Sequence, residues 1–321
     1  MRRTLVALLL VVLAVAACTG APADRRAQID ELTWRIRAMP GVTQAGSTFN
    51  DSTPRGPSYF EVDVNVAVDI TPDELVAITS AYLDDLQAQD YSGYATELDV
   101  RNDGNSFLLH DVGRPVSNQN QTLAQARSWM ALRQQFPGST VGLRAATNSA
   151  PSSGDLQLPD TADYQAVAAA IGKVAADFGV LAGAWTVSAG NQHPSEIRTS
   201  KRLPSKQEME LWTTLNADQS IPHADVFTIN GPVTGPLWVS EKIPTDDPDL
   251  ALRLAQQHLP LVARLPEPIV YTASNQYRGH IGFHGQATGP VTVSIGGCMK
   301  RDYRPSPAEQ ALIDRYENCR R

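Results

Sequence analysis

The chain has 321 residues, with 34 acidic against 27 basic side chains, a formal net charge of −7 and 42% hydrophobic residues. An acidic balance with no basic stripe excludes nucleic acid as a partner. The length leaves room for one or two domains with real cores.

The amino terminus reads MRRTLVALLLVVLAVAACTG. Arg2 and Arg3 form a positive start, and Thr4 to Ala17 is an uninterrupted apolar or small run. A charged start, a short apolar core and small residues before a cut mark a secretory signal peptide over residues 1–17. The run is shorter than the roughly 20 apolar residues a spanning helix needs. Val15-Ala16-Ala17-Cys18 resembles the lipobox of bacterial lipoproteins. That resemblance implies cleavage before Cys18 and transfer of a diacylglycerol to its sulfur. One acyl chain holds a protein to a membrane marginally, and two or more hold it stably. Residues 18–24 then form a lipidated tether reaching about 20 Å when extended. The expected location is the outer face of the cytoplasmic membrane.

Three stretches follow that share one order: an amphipathic helix ending near a proline, a strand, a second helix, and a strand pair. The first opens with RRAQIDELTWRIRAMPGV. Its second helix starts at Thr71 as N-cap, with Pro72 at the first helical position and Glu74 closing a capping box. The second stretch opens with TLAQARSWMALRQQFPGSTV, and Asp160 or Thr161 is the expected cap of its second helix. In the third, Ser205 caps the opening helix, and Asp247 precedes Pro248 at the start of the next. Pro40, Pro137 and Pro222 recur at a step of roughly 90 residues, as do Asp69, Asp160 and Asp246, a length that suits small domains better than solenoid repeats.

The polar runs 113–122 and 191–204 mark joints, and 147–154 reads as a long hairpin loop. The expected organisation is α+β, with tandem two-layer units at 25–115, 116–204 and 205–321, helices packed on antiparallel sheets. The alternative is one mixed domain whose repetition is coincidental. Residues 38–42 (AMPGV) and 62–75 also resemble the ferredoxin-like plan of heavy-metal-associated domains. Those domains bind metal through a cysteine pair before the first helix. Here only Cys18 lies there, so the resemblance implies a topology without that function.

Four groups of residues invite a chemical reading. Glu61, Asp63, Asn65 and Asp69 alternate with Val62, Val64, Val66, Val68 and Ile70. This is the pattern of a strand with one wet face. Calcium needs a loop that curls around it, which a strand does not supply. His280 and His284 stand four apart in GHIGFHG, where the glycines favour strand or loop. On a strand they lie about 13 Å apart, too far for one ion. Trp34, Trp129 and Trp212 are expected in helix cores, while Trp185, Trp238, Tyr271 and Tyr277 are candidates for a ligand groove. Cys298 and Cys319 form an even pair in an exported chain, so a disulfide is expected. It pins a last helix that starts at Ser306 and Pro307.

Nucleophile-elbow, zinc-protease, phosphate-loop and dinucleotide motifs are missing from the sequence. No catalytic residue, metal ligand or cofactor is therefore nominated, and no enzyme activity is expected. The expected function is a binding or scaffolding module of the cell envelope. Its partners are the membrane, through the lipid, and an envelope protein or small ligand. An outer-leaflet carrier of a small ligand or lipid is the alternative, and an unrecognised hydrolase is less favoured.

Overall fold

The structure is a computed structural model that describes residues 24–50, 58–112, 116, 118–147, 152–179, 181–190, 194–231, 235–266 and 268–319. The expected signal peptide and Cys18 lie outside the described residues. Among the described residues no helix is long and apolar enough to cross a membrane. The chain divides into two compact units, Met1–Arg127 with Arg144–Ala150 and Ser128–Leu143 with Pro151–Arg321.

Helix α1 (Arg26–Arg37) opens the first unit. Ile29, Leu32, Thr33 and Ile36 recur at the spacing of one helical face, and all are buried. Trp34 falls off that stripe and is 68% exposed, so its expected place in the core is corrected. Strands β1 (Val42–Asn50) and β2 (Ser58–Val66) pair antiparallel. In β2, Val62, Val64 and Val66 are buried while Glu61, Asp63 and Asn65 take the wetter face. The strand stops at Val66, so Val68 and Asp69 leave the ladder and are exposed. The capping box at α2 (Pro72–Ala88) is formed: the Glu74 amide donates to the Thr71 hydroxyl at 3.2 Å, and the Thr71 amide donates to Glu74 Oε2 at 2.8 Å. β3 (Tyr94–Asn102) then lies parallel to β2. Asp103 and Gly104, at φ +45° and +82°, form the tight turn into antiparallel β4 (Asn105–Val112).

Helix α3 (Gln119–Gln135) and β5 (Thr140–Ala146) contribute residues to both units. In the second unit Trp129 of α3 is fully buried, and its indole N–H donates to the Val141 carbonyl at 3.2 Å. The chain continues through β6 (Ser153–Gln157), α4 (Tyr164–Lys173) with a π-type turn at Val174–Phe178, β7 (Ala184–Ser188) and β8 (Glu196–Ser200). The cap of α4 is Asp163, not Asp160 or Thr161. Its carboxylate accepts from the amides of Gln165 and Ala166, while residues 159–162 are used in a turn closed from the Ala162 amide to the Pro159 carbonyl.

Next come α5 (Lys206–Ala217), β9 (Ala224–Gly231), β10 (Gly235–Lys242) and α6 (Pro248–Val262). β11 (Ile269–Ser274), β12 (Thr292–Ile295) and α7 (Pro307–Tyr316) complete the chain. Ser205, Asp247 and Ser306 cap their helices as expected. Trp212 of α5 is fully buried, edge-on to Phe227 at 5.2 Å.

In both units the strands neighbour one another in chain order. The α+β class holds, with helices alternating with strands. The sheets are mixed, however, and not antiparallel throughout. β2–β3, β6–β7, β8–β9 and β10–β11 are parallel pairs. A helix joins the two strands of each pair and carries the chain back, so the next strand runs the same way.

Cys298 and Cys319 are disulfide-bonded. Around them the Gly296 amide donates to the Tyr316 carbonyl and the Asn318 amide to Gly297, at 2.9 and 2.7 Å. Glu317 accepts from the Ser294 amide at 2.9 Å and pairs with Arg301. The last helix is thereby held against the end of β12.

Candidate functional site: a buried histidine–carboxylate cluster beside a pocket

β9 opens with ADVFTI and β10 ends with LWVSEK. Alternate side chains of a strand share a face. Asp225 therefore lies in line with Phe227 and Ile229, and Glu241 with Val239 and Leu237; all six are buried. Asp225 and Glu241 are also cross-strand partners in the antiparallel register. Two acids thus sit side by side on a core face.

Three further side chains close over Glu241 and Asp225. His258 comes from the buried stripe of α6, its Nδ1 2.6 Å from Glu241 Oε1 and its Nε2 3.4 Å from Asp218 Oδ2. The Tyr271 hydroxyl on β11 donates to Glu241 Oε2. His223 stands just before β9 with its side chain fully buried. Its Nδ1 is 2.7 Å from the Ile221 carbonyl, and its Nε2 is 3.8 Å from Asp225 Oδ2. The two imidazoles meet edge-on at 5.2 Å.

The electrostatics follow from burial and from this crowding of acids. Burial, and then the Glu241 charge, push the Asp225 carboxyl well above the usual carboxylate range. For His258 burial works against the charged ring, but hydrogen bonds and charge from Glu241 and Asp218 outweigh it and raise the pKa. Burial and the neighbouring Glu241 raise the Tyr271 phenol. Asp218, part-exposed just after α5, is held down at about 2, first by hydrogen bonds from Ser220 and further by His258 and Gln257.

A pocket of about 550 Å³ opens next to the cluster within the same unit. Tyr164, Pro222, Ile243 and Pro244 give it an apolar wall, and Ser195, Asn216 and Lys242 line it too. The polar wall is fixed. Ser195 donates to Asn216 Oδ1 at 2.8 Å, Asn216 Nδ2 donates to the Trp212 carbonyl at 2.9 Å, and the Trp212 indole donates to the Tyr164 carbonyl at 3.1 Å. Lining residues Ala224 and Lys242 are sequence neighbours of Asp225 and Glu241, so backbone that builds the cluster also builds the pocket.

The residues singled out in the sequence take these places. Trp185 and Trp238 line one cavity of about 320 Å³, together with Arg198 and Arg278. Tyr277 lines a neighbouring cavity that shares Arg198, while Tyr271 is absent from both and belongs to the buried cluster. His280 and His284 lie in an irregular stretch between β11 and β12, with isolated bridges from Ala287 to Ile281 and to Arg301, so no strand carries them. Glu61 and Asp63 do approach Asp99, and Arg101 answers their charge, 2.5 Å from Asp99 and 3.5 Å from Asp63. The His223–Glu241–His258 grouping was not assembled from the sequence. Its signal was there in the acids of D-x-F-x-I and L-x-V-x-E, each in register with core residues.

No family model, curated protein or solved structure matches this chain. The site's own geometry therefore carries the functional argument.

Proposed function

We propose that the chain is a lipid-anchored extracytoplasmic binding module, held at the outer face of the cytoplasmic membrane through Cys18. The pocket beside β9 and β10 is its binding site. The observation that carries this reading is the pocket itself. Its volume of about 550 Å³ falls within the range of small-ligand sites, and an apolar wall with a few fixed polar groups is their usual construction. The ligand class that fits is an amphipathic small molecule. Its apolar part lies against Tyr164, Pro222, Ile243 and Pro244, and its polar end faces Lys242. The lipobox-like Val15–Cys18 supports the anchor, and a tether ending at residue 24 keeps the body close to the lipid surface.

The test is a titration of the full-length chain in detergent with an environment-sensitive fluorescent fatty acid. A Gln219→Trp variant, which fills the pocket from its exposed rim, is the control. Saturable one-to-one binding that the variant loses supports the reading. Equal signals from both chains contradict it.

A further inference from the structure

We propose that His223, Glu241 and His258, with Asp225 beside them, form a binding site for a divalent transition-metal ion of the zinc class. His223 also lines the neighbouring pocket, so the two sites share one residue, but the proposal does not rest on what fills the pocket.

A carbonyl only accepts, so the contact to Ile221 assigns the proton of a neutral His223 ring to Nδ1 and leaves a lone pair on Nε2. That Nε2 has no hydrogen-bond partner, and neither do the two carboxylate oxygens of Asp225 that it faces. Both side chains are fully buried. Buried polar atoms in folded proteins are otherwise satisfied almost without exception. Here three of them stand together, His223 Nε2 and the two carboxylate oxygens of Asp225. A cation answers all of them at once.

The second line is placement. Asp225 and Glu241 are directly opposed on adjacent strands and both are buried, so two carboxyl groups meet where the two histidines stand.

The third line is geometry. One ligand atom from each of His223, Glu241 and His258 lies within 4.8 Å of the others. A tetrahedral ion bound at about 2.0–2.2 Å needs separations somewhat over 3 Å, so the side chains close by a short movement. The outer contacts match those of metal-binding histidines, whose second nitrogen is held by a carbonyl or carboxylate. His223 Nδ1 has the Ile221 carbonyl, and the Tyr271 hydroxyl holds Glu241 Oε2 while leaving Oε1 to turn inward. Two imidazoles and a carboxylate favour zinc and its neighbours over calcium or magnesium, which take oxygen ligands.

The test uses the full-length chain in detergent, stripped with a chelator and titrated with zinc chloride by calorimetry, with cobalt(II) as the optical probe. The expected result is one zinc per chain and a cobalt visible band of tetrahedral type without a thiolate charge-transfer band. His223→Gln and His258→Gln should each weaken zinc at least about tenfold, while Asp63→Asn, in the part-buried acidic group of the first unit, leaves it unchanged. If either histidine variant fails to give a native near-ultraviolet circular dichroism spectrum, Tyr271→Phe replaces it, with the same expected direction. Absence of saturable zinc binding and of the cobalt band in the wild-type chain overturns the proposal and leaves a proton-sharing network. Zinc binding that these variants leave untouched overturns it as well.

Discussion

Asp225 and Glu241 face each other across β9 and β10, yet only Glu241 has hydrogen-bond partners. His258 and Tyr271 both bond to Glu241, whereas neither carboxylate oxygen of Asp225 has a hydrogen bond. The two acids therefore differ in what their loss does. Glu241→Ala strands a buried imidazole and a buried phenol, and should cost about 3–5 kcal/mol in metal-free buffer. Asp225→Asn resembles the protonated acid that burial already favours, and should change stability by less than about 1 kcal/mol. Urea denaturation of both variants checks the contrast.

Glu208 gives the chain a defined acid sensitivity. Burial works to raise its pKa, but Arg202, at 2.6 and 2.7 Å, and the Ser205 cap bring it below the ordinary value. A lowered folded pKa means stability that is present above the unfolded value near 4.3 and is lost as pH falls through the folded one. Glu208→Gln should cost about 1 kcal/mol at pH 7, and the gap to wild type should close toward pH 2–3. Urea midpoints measured across that pH range report it.

The disulfide closes a loop with a sequence separation of 21. In the chain-entropy model a loop of this size contributes about 3 kcal/mol. The Cys298→Ser/Cys319→Ser chain should lose roughly that amount in urea, with the loss concentrated in α7, which hydrogen-exchange protection resolves.

The tryptophans separate by face. Trp34 is largely exposed, so Trp34→Lys should fall within about 0.5 kcal/mol of wild type. Trp129 is fully buried, so Trp129→Ala should cost about 3–5 kcal/mol. Thermal unfolding of the two variants distinguishes them directly.

Local chemistry was the part of the fold most legible in the sequence. The caps at Thr71, Ser205, Asp247 and Ser306 each need only a few neighbouring residues, and all four formed. The cap of α4 lies two or three residues beyond the expected Thr161 or Asp160 because all three side chains are competent, and only the turn at 159–162 chooses among them. Trp34 was misassigned because an aromatic within an amphipathic helix reads as core until the Ile29–Leu32–Ile36 stripe is traced. The parallel strand pairs were missed because alternation fixes which face is buried and says nothing about the direction of a neighbouring strand. The buried cluster draws on residues from 218 to 271 that only the sheet register and the packing of α6 bring together. Its trace in the sequence is an acid at a core-facing strand position, which a search for local metal spacings passes over.

The pocket beside β9 and β10 is where the proposed function stands or falls, and native mass spectrometry of the full-length chain made in its own membranes tests it most directly. The expected result is a wild-type chain carrying the N-terminal lipid and, in addition, a non-covalent small-molecule mass that Gln219→Trp lacks. Identical masses for the two chains apart from the substitution, with nothing retained by either, would contradict a ligand-binding role for the pocket.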